Sequence, residues 1–165
     1  MSKVRVLSYA LALLPLATLA LGTAATSAAA ADPEVSIKIT KVRALDRADE
    51  FSDGDYFARV TIDGETFQTE PVKQEGSIKP NWAFKKKVKA GEVKVKLEII
   101  DKDLSADDPI DINRVDAKRD LDFTVNTKTG RLGGFSSPYK VGTTVTRAGK
   151  EKKAAEVSFV VTVKK

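Results

Sequence analysis

The chain has 165 residues, one domain's worth, with 28 basic and 23 acidic side chains and a formal net charge of +5. So small an excess does not supply the concentrated basic surface that non-specific nucleic-acid binding needs. It has neither Cys nor His, which excludes disulfides, thiol nucleophiles, Ser-His-Asp and Cys-His sites, and the usual zinc ligands.

The first 31 residues read as a secretory signal peptide. Lys3 and Arg5 form a basic start, Val6 to Leu21 is an apolar run broken only by Ser8, Pro15 and Thr18, and Ala28-Ala29-Ala30-Ala31 supplies small residues for cleavage after Ala30 or Ala31. The alternative is an uncleaved membrane anchor, for which the interrupted run is short against the about 20 apolar residues a spanning helix needs. The mature domain is then residues 32–165, exported to the extracellular space or cell envelope.

From Val35 onward short alternating runs dominate. Val35, Ile37, Ile39 and Val42 alternate with Ser36, Lys38 and Thr40 in the period of a half-buried strand. Tyr56 to Ile62 is a second run, and Asp63-Gly64 is a two-residue hairpin signal leading back through Glu65 to Thr69. Trp82, Phe84 and Val88 share a face of the next run; Val93, Val95, Leu97 and Ile99 share a face of the one after the Ala90-Gly91 turn. Leu121, Phe123 and Val125 alternate, Gly133 to Gly142 is a long loop with at most an edge strand, and Val157, Phe159, Val161 and Val163 mark a final strand. No segment carries a helical period. Seven or eight short strands separated by turns predict an all-β antiparallel sandwich.

The acids gather in two predicted loops, Asp46 to Asp55 and Asp101 to Asp111. If the two meet at one end of a sandwich, several carboxylates converge. Two unit charges about 4 Å apart repel by roughly 4 kcal/mol at an effective dielectric of 20. A divalent cation reverses that repulsion. Hard carboxylate oxygens in a flexible arrangement suit calcium better than magnesium, and soft metals lack their ligands. The plainer alternative is a pair of solvated turns, since Asp and Gly favour turns for backbone reasons. An EF-hand fails on spacing. Counted from Asp49, positions three and twelve are Phe51 and Val60; counted from Asp101, positions six and twelve are Ala106 and Ile112.

Asp49 through Asp55 followed by Tyr56-Phe57-Ala58-Arg59-Val60, then Pro80-Asn81-Trp82, then Leu97 to Ile110, resemble in order the first calcium loop, the turn before the fourth strand, and the third calcium loop of C2 domains. Asp108-Pro109-Ile110-Asp111-Ile112-Asn113 resembles a variant found in secreted bacterial C2-like proteins. The resemblance implies Asp49 and Asp55 as first-loop ligands for Ca2+, with Asp101, Asp103 and Asp108 (or its neighbour Asp107) in the third loop and Asp46 as an added candidate. It also places Phe51 and Leu104 where the family carries apolar membrane tips, with a fold back onto the core as the equal alternative for Phe51. Gly54-Asp55-Tyr56-Phe57 departs from the family's Ser-Asp-Pro-Tyr, and Asp111 stands where a Gly is usual.

Lys85, Lys87 and Lys89 oppose Trp82, Phe84 and Val88, while Lys94 and Lys96 oppose Val93, Val95 and Leu97. If those strands pair, their lysines form one basic face for an anionic lipid or wall polymer; otherwise they serve to discourage sheet-to-sheet association. The leading expectation is a secreted, monomeric, non-catalytic calcium module binding an anionic surface or a protein. The alternatives are a metal-free interaction protein of the envelope and a two-carboxylate hydrolase, for which a sandwich of this size offers little cleft.

Overall fold

The structure is a computed structural model that describes residues 31–45, 55–73, 76–102 and 107–165. Among these residues there is no helix, and two antiparallel sheets face each other. Chain order runs β1 (Glu34–Ala44), β2 (Asp55–Ile62), β3 (Glu65–Gln68), β4 (Val72–Lys73), β5 (Ser77–Ile78), β6 (Trp82–Lys87), β7 (Glu92–Asp101), β8 (Asp108–Ile110), β9 (Leu121–Asn126), β10 (Arg131–Gly133), β11 (Tyr139–Lys140), β12 (Thr144–Ala148) and β13 (Ala155–Lys164). The first sheet is ordered β12-β13-β1, with β5 and β6 each pairing β1; the second is β11-β10-β9-β7-β2-β3, with β4 on β2 and β8 on β7. Eight of these strands have four residues or more; seven coincide with the alternating runs, β12 is marked by none, and the rest are two- or three-residue segments.

Alternation sets the core. Val35, Ile37, Ile39, Val157, Phe159 and Val161 from one sheet meet Ala58, Val60, Leu97, Ile99, Phe123 and Val125 from the other, all nearly or wholly excluded from solvent. The register of β1 against β13 shifts between Ile39 and Lys41. That bulge inserts Thr40, whose hydroxyl donates to Ser158 O at 3.1 Å, and brings Val42 rather than Lys41 back to the core. Asp63 and Gly64 both have positive φ, 47° and 79°, the two-residue turn that matches strand twist. In the stretch from Gly133, Phe135 folds back to pack its ring 5.3 Å from that of Phe123.

β6 and β7 are neighbours in sequence but not in space. The connection from Val88 to Gly91 crosses from the first sheet to the second instead of turning a hairpin. Val88 is buried and donates its N–H to Pro33 O at 2.9 Å, while Gly91 and Thr127 exchange backbone and hydroxyl hydrogen bonds at the base of the second sheet. Lys85 and Lys87 therefore belong to a different sheet from Lys94 and Lys96, Lys89 lies in the connection between the two, and the five do not form one basic face. Lys85 and Lys87 lie exposed on β6, whose one partner among the described residues is β1, so they guard an edge. Lys96 on central β7 is matched by Glu98 at 3.2 Å and Asp120 at 3.6 Å. Lys86 takes the inward row and escapes at the end of the sandwich, donating to Ile62 O and Asp63 O at 3.0 and 2.9 Å.

Candidate functional site at one pole of the sandwich

The residues that root the two acidic loops leave the same end of the second sheet. In the β2–β7 pairing Tyr56 stands opposite Asp101, and in the β7–β8 pairing Asp101 stands opposite Asp108. Lys102 N donates to Asp55 O at 3.0 Å, tying the start of β2 to the end of β7. The first sheet contributes to this pole too: Ala44 N bonds Gly76 O and Leu45 N bonds Ala154 O, both at 2.9 Å. β1, β2, β5, β7, β8 and the β12–β13 hairpin thus all terminate there.

Asp101 is buried, with 4% of its surface exposed, at the end of a strand whose preceding residues Ile99 and Ile100 are also buried. Side chains directly opposed across two antiparallel strands have β-carbons roughly 4.5–5.5 Å apart, so positions 101 and 108 are cross-strand neighbours at this pole. The Tyr56 hydroxyl is buried without a hydrogen-bond partner among the described residues. Burial, and then the Asp101 charge, push it above its ordinary range, so it stays neutral beside the carboxylate.

Asp108 is already engaged. Lys153 Nζ on the β12–β13 hairpin lies 2.6 Å from Asp108 Oδ2. That hydrogen bond, reinforced by the lysine's charge, holds the Asp108 carboxyl below the usual carboxylate range. Asp107 precedes β8 and is exposed. Asp46, Asp49, Phe51, Asp103 and Leu104 lie outside the described residues. Among the described residues no three His, Cys, Asp or Glu side chains gather closely enough to hold a metal. Asp101 and Asp108, which the strand register pairs, are hard oxygen ligands of the kind calcium takes, and their chemistry fits that ion.

Sequence reasoning missed Asp111, which is fully buried and organises the pole. Its Oδ1 accepts Asn113 N at 2.9 Å, and its Oδ2 accepts Lys150 N and Glu151 N, both at 2.8 Å. Its own N–H bonds Lys153 O, and its carbonyl accepts Ala155 N. One carboxylate therefore staples the segment after β8 to the β12–β13 hairpin. Arg119 adds a second tie, donating from Nη1 to Pro109 O and Lys152 O at 3.0 Å each. The local signal is Asp111-Ile112-Asn113, an Asx-turn pattern; nothing local announces the hairpin partners.

A family model for the C2 domain matches residues 34–129, more than half of the chain, and the chain belongs to the C2 domain family. C2 domains often bind Ca2+ and membranes and are typically non-catalytic. No curated protein matches the chain. Among solved structures, it is similar to a structure described as that of a C2 domain, with 14% identity over 81% of this chain and 99% of that one, at a TM-score of 0.53. It is also similar to human GIVD cytosolic phospholipase A2 in complex with an inhibitor and terbium chloride, with 18% identity, 81% coverage of this chain and a TM-score of 0.50. A third likeness is to the calcium-bound pair of C2 domains of extended-synaptotagmin 2, with 13% identity, 80% coverage of this chain and a TM-score of 0.52. The chain spans 17% of the phospholipase and 45% of the extended-synaptotagmin chain. At these identities the likeness is one of fold.

Proposed function

We propose that this C2 domain is a secreted, non-catalytic module that binds Ca2+ between its two aspartate-rich loops and through the ion engages an anionic surface such as phospholipid. The observation that carries the reading is the register of Asp101 opposite Asp108 at the pole where Asp55 also begins its strand. Asp55, Asp101 and Asp108 would hold the ion together with Asp46, Asp49, Asp103 and Asp107 from the loops between. The ion supplies a positive charge with open coordination positions, which an anionic head group can fill. Phe51 and Leu104 belong to the same loops and would reach the apolar layer. Export rests on the basic, apolar and small-residue pattern of residues 1–31, and the secreted bacterial affinity on the Asp108–Asn113 motif.

A second reading, a metal-free interaction module of the envelope, is favoured by one observation: Lys153 already neutralises Asp108. Thermal unfolding in calcium and in chelator separates the two. A site with a dissociation constant of about 0.1 mM gains about 1.4 kcal/mol at roughly 1 mM calcium. The melt is expected to rise by about 4 °C. Superimposable melts would favour the metal-free module.

A further inference from the structure

We propose that Lys153 is a tethered cation that occupies Asp108 in the absence of Ca2+ and must leave that carboxylate before the ion can take it, so that Lys153 sets the calcium affinity of the pole. The inference rests on the calcium reading above and concerns how that site is tuned.

Three observations carry it. The Lys153 ammonium is in direct hydrogen-bonded contact with Asp108 Oδ2 at 2.6 Å, so the oxygen a divalent ion would use is already donated to. The lysine is delivered there by a fixed backbone. Lys153 adopts a left-handed φ of 58°, its carbonyl accepts Asp111 N at 2.9 Å, and the preceding turn is clamped through Lys150 N and Glu151 N to the Asp111 carboxylate. Arg119 holds the same turn against β8 through Lys152 O and Pro109 O. Finally, Asp108 stands opposite Asp101 in the strand register, so what Lys153 occupies is one of the two described aspartates paired across β7 and β8 at the pole.

A single positive charge on a short leash competes with a doubly charged ion from solution. It offsets the like-charge repulsion of Asp101 and Asp108 while calcium is scarce, and it raises the concentration at which calcium enters. Lys152, exposed on the same hairpin, serves as the control.

The test is calorimetric titration with calcium chloride of the protein and of Lys153→Met, Lys152→Met, Asp108→Asn and the Lys153→Met/Asp108→Asn double variant, each first shown by its melt in chelator to be folded. Should Lys153→Met unfold, Lys153→Gln takes its place. Lys153→Met is expected to bind calcium about tenfold more tightly, because the ion no longer has to displace an ammonium hydrogen-bonded to the Asp108 carboxylate. Lys152→Met should change affinity by less than about threefold, and the gain should vanish when Asp108 is already Asn. Unchanged or weaker binding by Lys153→Met, or an equal gain in the Asp108→Asn background, overturns the inference while leaving the calcium reading intact. Absence of calcium binding by the unsubstituted protein overturns both.

Discussion

Asp111→Ala is expected to destabilise the domain by about 3–5 kcal/mol, a large share of the about 5–15 kcal/mol that holds a small domain together. The substitution removes the acceptor of three backbone N–H groups, those of Asn113, Lys150 and Glu151, at a site the solvent does not reach. Hydrogen bonds to an ionised partner contribute about 1.5–3 kcal/mol each, and part of that is recovered where loosened loops admit water. Gly149→Ala should fail for the reciprocal reason. A β-carbon at 149 would lie 2.6 Å from the Asp111 carbonyl carbon and closer still to its oxygen, so the staple and the hairpin cannot both keep their places. Thermal unfolding checks both, with the melt expected to fall by on the order of 10–15 °C for Asp111→Ala. A shift of only a degree or two would show that the carboxylate does not fasten the hairpin.

Asp101→Asn should have the largest effect on the ion. It keeps the side chain's shape and replaces a buried charge at the centre of the pole. Calcium affinity is expected to fall by about a hundredfold, close to 2.7 kcal/mol, because a formal charge and a hard ligand are lost together. Without calcium, Lys153 already offsets the charge of Asp108, so the substitution should leave stability little changed. The two proteins should therefore diverge as calcium is added, with the parent ahead once its site fills. Parallel melts at all calcium concentrations would place Asp101 outside the site.

Much of the fold was legible because it depends on period and turn chemistry, which are local. Val35, Ile37 and Ile39 alternate in the sequence and are buried in the structure, and Asp63-Gly64 adopts the turn its two residues favour. The β6–β7 connection was not legible, because a four-residue link ending in Ala90-Gly91 looks the same whether it turns a hairpin or crosses between sheets. What decides it is long-range: Val88 reaching Pro33, and Gly91 joined to Thr127. The basic face expected across Lys85, Lys87, Lys89, Lys94 and Lys96 dissolves with that pairing.

The same distinction runs through the candidate site. It is the order of motifs resembling the C2 family that points to Asp55, Asp101 and Asp108 as candidates. Asp111 could not be told from its neighbours, because it binds backbone N–H groups 39 and 40 residues away that carry no side-chain signature. The contact between Lys153 and Asp108 spans 45 residues and joins two residue types common in solvated turns. Both contacts follow from the tertiary placement of the β12–β13 hairpin against β8.

Calorimetric titration of the purified protein with calcium chloride tests directly whether the pole accepts a hard divalent cation. Saturable binding is expected in the range of about 0.1–1 mM, typical of extracellular calcium modules. A titration that shows only the heat of dilution across that range would contradict that expectation.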